Sequence, residues 1–185
     1  MILQFRQQLN QWYREAQTHF DSTTILSILL KGDIEGFKAD FKHAFEKCAS
    51  YHDFTKESKE NVYDVFALGV FVGSLQLAYQ CIESNRESGY GRFDLSIIPV
   101  SKAAGNVAVI IEFNAVKMEI NLKDEAIKAL NQITERKYNS QTPRWCNEIN
   151  HYGISFYRKS CHIVARKFKR HPTAVNQWDM IHTDA

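Results

Sequence analysis

Two runs rich in β-branched and aromatic residues, Phe93 to Val100 and Val107 to Val116, flank a short polar connection that contains Gly105. Such runs, joined by a small Gly-containing loop, predict a β-hairpin. No other stretch constrains the fold as tightly, because a hairpin centred near Ala103 fixes which residues face each other. Positions 94 and 112 are equidistant from 103, so Asp94 lies opposite Glu112. Side chains two apart on a strand share a face, which puts Asn114 beside Glu112. The hairpin thus predicts an Asp, a Glu and an Asn converging on one patch.

Facing carboxylates repel each other, so the pair either raises a pKa or calls for a cation between its members. A hard divalent ion suits oxygen ligands; magnesium takes one or two carboxylates, keeps several waters and meets a phosphate. The same spacing also fits a strand-capping Asp94 and a solvent-facing Glu112. The residues by themselves leave both readings open.

Four blocks in order carry a resemblance to a known family: R-E-S-G-Y-G-R-F-D at 86–94, I-I-E-F-N at 110–114, A-L-N-Q-I-T-E-R-K-Y at 129–138 and Y-G-I-S-F at 152–156. They resemble the PD-(D/E)XK nuclease superfamily. More narrowly, they look like the nuclease-like domain that follows an AAA-ATPase-like domain in many bacterial proteins. The likeness runs from about Phe37 to Arg170. It implies a restriction-endonuclease-like α/β fold, a mixed central sheet flanked by helices with an N-terminal helical layer. It also implies Mg²⁺- or Mn²⁺-dependent hydrolysis of nucleic-acid phosphodiesters, with DNA foremost. By the same resemblance Asp94, Glu112 and the carbonyl of Phe113 would ligate the metal, and Glu60, at the start of a core helix, would reach it through water.

One position departs from the pattern: the family carries Lys where this chain has Asn114. Three accounts follow. Lys117 or Lys137 takes over the cationic role, Lys137 being the better placed on its helix; or the site binds metal and nucleic acid but cleaves poorly; or Asn114 inactivates an otherwise competent nuclease. Gln132 joins the catalytic set, and Arg92, Arg136 and Lys137 are the residues expected to meet substrate.

The chain in order reads as follows. Leu3 to Phe20 is an amphipathic helix by its spacing, a short second helix runs to Leu30 and ends at Gly32, and Ile34 to Ala49 is a third, with Phe37, Phe41 and Phe45 on one stripe. Ser50 to Lys59 is a polar loop, Glu60 to Leu77 a core helix, and Ala78 to Glu87 a first strand leading into the hairpin. In Leu122 to Tyr138 a helical wheel gathers Leu122, Ala126, Ala129, Leu130 and Ile133 on one stripe. It turns Arg136 and Lys137 toward the same inward sector, with Gln132 at its edge. Two closing strands around a basic turn start at Tyr152, and His171 to Ala185 has no pattern beyond Trp178 and Met180, which could dock on the body. The expected organisation is a helical lead-in over 1–58, a nuclease-like core over 59–170 and a tail over 171–185, in one compact domain.

Composition excludes several classes. At 185 residues, 44% hydrophobic and 24% charged, the chain has the make-up of an ordinary globular domain. Its first ten residues lack the basic segment and apolar core of a signal peptide, so a cytoplasmic protein is expected. Val62 to Tyr79 is nearly long enough to span a bilayer, but Asp64 and Gln76 make it a core helix, with no membrane partner. Cys48, Cys81, Cys146 and Cys161 form no C-x-x-C pair, which signals neither a zinc site nor a disulfide framework. No G-x-x-x-x-G-K-[ST] occurs, so no nucleotide hydrolysis is expected. The net charge is only +2, yet nine Lys or Arg stand against Glu148 alone between Arg136 and His171, a local net of +8. That run is either a solvated face or a track for a phosphate backbone. A homo-oligomer or a separate protein partner is compatible with all of this.

Overall fold

The computed structural model describes residues 22–48, 63, 82–84, 87–88, 91–92, 94–116, 121–174 and 176–185. The expected helix over 3–20, the loop over 50–59 and most of the expected core helix over 60–77, Glu60 included, lie outside the described residues. Among those described, no helix is long and apolar enough to cross a membrane.

Helix α1 spans Ser22–Lys31 and α2 Ile34–Cys48. Gly32 separates them at φ +66, and its N–H donates to the carbonyl of Leu29 while that of Asp33 donates to Ile28. This left-handed stop satisfies the last carbonyls of α1, a role that suits glycine. Asp33 then caps α2 through its Oδ1, which accepts from the N–H of Gly36 at 3.0 Å. On α2, Phe37, Phe41 and Phe45 recur every four residues, and all three are buried.

Six strands form the main sheet in the order β1-β4-β5-β6-β7-β8: β1 Ile82–Ser84, β4 Leu95–Ile97, β5 Val107–Ala115, β6 Glu148–Tyr157, β7 Ser160–Arg170 and β8 Trp178–Asp184. β5 and β6 run parallel, and the other neighbours are antiparallel. Two short strands, β2 Glu87–Ser88 and β3 Gly91–Arg92, pair separately, with position 87 facing position 92. Parallel neighbours need a crossover, and α3, Leu122–Glu135, provides it between β5 and β6. The result is the expected mixed α/β architecture, a central sheet with helices on both faces.

Strand alternation divides the core between the two faces of the sheet. Leu95, Ile97, Val109, Ile111, Tyr152, Ile154 and Phe156 pack with the α2 phenylalanines. On the opposite face Ala108, Ile110, Ile149 and Val164 meet Ala126, Leu130 and Ile133 of α3. Glu112 and Asn114 continue the 108–110 series, so they emerge on the α3 side.

The expected register holds: Leu95 pairs with Ile111 and Ile97 with Val109, which carries Asp94 to the level of Glu112. β4 is shorter than expected, and Asp94 sits in a bend just before it. Three other expectations change. α3 ends at Glu135 rather than Tyr138; Arg136 caps it and Lys137 adopts a left-handed conformation at φ 53, both exposed rather than inward. Ending the helix there spares two cations from burial under an apolar stripe. β6 begins at Glu148, so Gly153 lies mid-strand instead of at the strand's start. The patternless tail is the edge strand β8: Trp178 docks with the Arg170 guanidinium 4.1 Å over its ring, whereas Met180 stays 57% exposed. An edge strand half in solvent needs no clean apolar alternation, which hid it.

Candidate active site

Two carboxylates meet where β4 begins and β5 runs on past it. The backbone N–H of Asp94 donates to Glu112 Oε2 at 3.3 Å, and the N–H of Phe113 donates to Asp94 Oδ2 at 2.7 Å. Each carboxylate is therefore tied to the other's strand. Glu112 is only 3% exposed, and its second oxygen accepts from the side-chain amide of Gln132 on α3. A buried carboxylate with donors on both oxygens avoids most of the cost of an unsatisfied charge.

Asn114, two residues along β5, donates from Nδ2 to the backbone carbonyl of Glu125 at 3.1 Å. Ser155 Oγ donates to the carbonyl of Leu122 at 2.5 Å. These bonds hold the first turns of α3 over the sheet, while Gln132 holds its far half. The close approach is possible because residue 153 is glycine: a Cβ there would stand 2.2 Å from the carbonyl oxygen of Ala126.

A cavity of about 310 Å³ opens over the carboxylates, lined by Asp94, Glu112, Asn114, Glu125 and Gln132, with Tyr63 and Phe156 on another wall. The two rings stack with centroids 4.7 Å apart and planes 5° from parallel. The carboxylates in this cavity offer hard oxygens, the chemistry that suits a divalent cation. A strand residue directs its N–H and C=O to the same edge. Because the N–H of Phe113 reaches Asp94, its carbonyl turns toward that edge too, beyond the last β4–β5 pair. Among the described residues no group of three His, Cys, Asp or Glu converges as a metal cluster. Two carboxylates and a carbonyl form a partial set that fits an ion completed by water and substrate.

The structure thus brings together Asp94, Glu112, Phe113, Asn114 and Gln132. It carries Lys137 out of the helical path that was to turn it inward. Arg136 donates from Nη1 to Tyr138 Oη at 2.9 Å. Arg92 is described in its backbone alone, and Glu60 and Lys117 lie outside the described residues. Sequence reasoning missed Glu125, whose signal was present: it stands seven residues, two helical turns, before Gln132 on one face of α3. It also missed the aromatic wall, since Tyr63 and Phe156 come from distant segments.

Cys146 and Cys161 are free thiols, pushed by burial up to about 11 and about 12 respectively. Both are poor nucleophiles at neutral pH and take no part in this site.

The model of one family, the PD-(D/E)XK nuclease superfamily, matches residues 58–166, a span that includes every site residue named above. No curated protein matches the chain.

Proposed function

Because this chain belongs to the PD-(D/E)XK nuclease superfamily, we propose that it hydrolyses nucleic-acid phosphodiester bonds, DNA foremost, with Mg²⁺ or Mn²⁺. The observation that carries the reading is the Asp94–Glu112 pair, joined across two strands and lining an open cavity with oxygen donors. Asp94 and Glu112 would hold the ion with the Phe113 carbonyl, and Glu60 is proposed to assist through water. A divalent ion bound there would acidify a water and neutralise negative charge on the reacting phosphate. Gln132 and the Asp94 N–H hold one oxygen of Glu112 each, so the carboxylate keeps its direction at the cavity wall. The Phe113 N–H holds Asp94 Oδ2 at 2.7 Å and so fixes where that carboxylate would meet the ion.

Asn114 favours a second reading. It carries no charge, and its amide donates to the helix backbone. Losing one preorganised donor costs about 10²- to 10³-fold in rate, so a module that binds nucleic acid through its basic 136–171 stretch without cutting it is the alternative. One experiment separates the two: fluorescence anisotropy and nicking of plasmid DNA, each in Mn²⁺ and in chelator. The nuclease nicks in Mn²⁺ and stops in chelator. Binding undiminished by chelator, weakened by salt and never followed by nicking would sink the enzymatic reading in favour of the module.

A further inference from the structure

Among the described residues, positions 114, 136 and 137 are the ones to weigh as the source of positive charge beside the carboxylates, and the backbone discriminates among them. Asn114 is neutral. Lys137 follows the end of α3 in a left-handed conformation that turns the chain away from the helical path. Arg136 keeps a nearly helical backbone, φ −85 and ψ 1, and its N–H donates to the Gln132 carbonyl at 3.0 Å. It therefore stands one turn beyond Gln132 on the same face, and Gln132 is the residue that touches Glu112.

The guanidinium is also anchored. Its Nη1 donates to Tyr138 Oη at 2.9 Å, and Tyr138 is 2% exposed, packed between α3 and the sheet. A long, exposed side chain is thus held at its tip by the hydroxyl of a buried tyrosine. That bond, and after it the charges of Tyr138, Glu112 and Asp94, raise the arginine's pKa above its ordinary value. The same two carboxylates push the Tyr138 phenol up, behind the larger effect of its burial.

We propose that Arg136, positioned by Tyr138, is the cation of this site and takes a non-bridging oxygen of the scissile phosphate, the charge that Asn114 does not supply. The inference rests on the nuclease reading. In the hydrolysis a water oxygen forms a new bond to phosphorus and gives up a proton to bulk water, which supplies one to the departing oxygen. The bond from phosphorus to the departing sugar oxygen breaks, and its electron pair goes to that oxygen, which takes up a proton. Negative charge grows on the non-bridging oxygens between those events. Arg136 remains protonated throughout and offers two parallel donors to them.

The test has two arms, run on the full chain. The first is Mn²⁺ titration by calorimetry at low salt for the parent, Arg136→Gln and Arg136→Lys, with Glu112→Gln as the weakened reference. Removing a cation beside the carboxylates tightens Mn²⁺ binding roughly 3- to 10-fold in Arg136→Gln, and Arg136→Lys restores parental affinity. The second is single-turnover cleavage of a labelled DNA oligonucleotide at saturating Mn²⁺. Arg136→Gln slows the chemical step about 10²-fold with a smaller change in substrate affinity. Tyr138→Phe slows it less, and adds nothing on top of Arg136→Gln, because the phenol acts only through the guanidinium. Unchanged Mn²⁺ affinity in Arg136→Gln overturns the proposal. Absence of cleavage by the parent with tightened Mn²⁺ binding in the variant defeats the nuclease reading and supports Arg136's placement.

Discussion

Gly153→Ala is expected to destabilise the protein by roughly 3 kcal/mol or more, at or above the upper end of the usual cost of overpacking. Gly153 sits in the middle of β6, which is buried along almost its whole length. A Cβ there would lie 2.2 Å from the Ala126 carbonyl oxygen, 2.6 Å from the Leu130 nitrogen and 2.8 Å from the Leu130 Cβ. Two of those three atoms are helix backbone, which no rotamer change can move aside. α3 itself must lift, and its apolar stripe of Ala126, Ala129, Leu130 and Ile133 lifts with it. The same displacement breaks the bonds from Gln132 to Glu112 and from Asn114 to Glu125. For a chain of 185 residues, that loss lowers the melting temperature by about 6–12 °C. Calorimetry of the variant checks it, and a melting temperature within a degree of the parent's would refute the close approach. Any folded fraction should also lose site function, because α3 carries one wall of the cavity.

The second large effect is an acid lability centred on His151. Its ring is 1% exposed on the α3 face, beside the ring of Phe168 at 4.7 Å, and it pairs with Ile110 on one strand and Arg166 on the other. Neither ring nitrogen has a hydrogen-bond partner among the described residues. Burial, and then the charge of Arg166, lower its pKa from 6.5 to about 3. The folded chain thus holds the imidazole neutral where the unfolded chain would protonate it. Stability is fully present above about pH 6.5 and falls by up to about 1.4 kcal/mol per pH unit as pH drops toward 3. At pH 4.5 the loss from this group is roughly 2–3 kcal/mol. His151→Leu removes the proton-binding step and fills the same apolar space. Urea unfolding of parent and variant at pH 7 and pH 4.5 measures the difference, since the carboxylates titrate alike in both. Equal losses in the two proteins on acidification would show that His151 is not held neutral.

How much of this was legible beforehand depends on which residues are asked. The hairpin gave its register away because a two-residue side-chain period and a loop with one centre leave a single pairing that buries both apolar runs. The Asp94–Glu112 juxtaposition follows from it. The α3 stripe was equally readable, since Ala126, Ala129, Leu130 and Ile133 recur at helical spacing. Its end was not, because a helical wheel carries no stop signal and the turn at Lys137 uses neither Gly nor Pro. That single turn moved Lys137 off the inward sector and left Arg136, one step above Gln132, exposed at the helix end. Close approach at Gly153 was hidden for another reason: a glycine's lack of a side chain says nothing about what fills the space. Asn114 was read as a missing charge, and its bond to the Glu125 carbonyl could emerge only once α3 was laid over β5.

The central claim is that Asp94 and Glu112 form a working nuclease centre. Its most direct test is cleavage of plasmid DNA, single-stranded DNA and RNA by the purified chain in Mg²⁺ and Mn²⁺, with Asp94→Ala and Asn114→Lys beside it. The account predicts cleavage by the chain as it stands that falls by at least about 10²- to 10³-fold in Asp94→Ala. Cleavage that persists undiminished in Asp94→Ala, or that appears in Asn114→Lys alone, would contradict it.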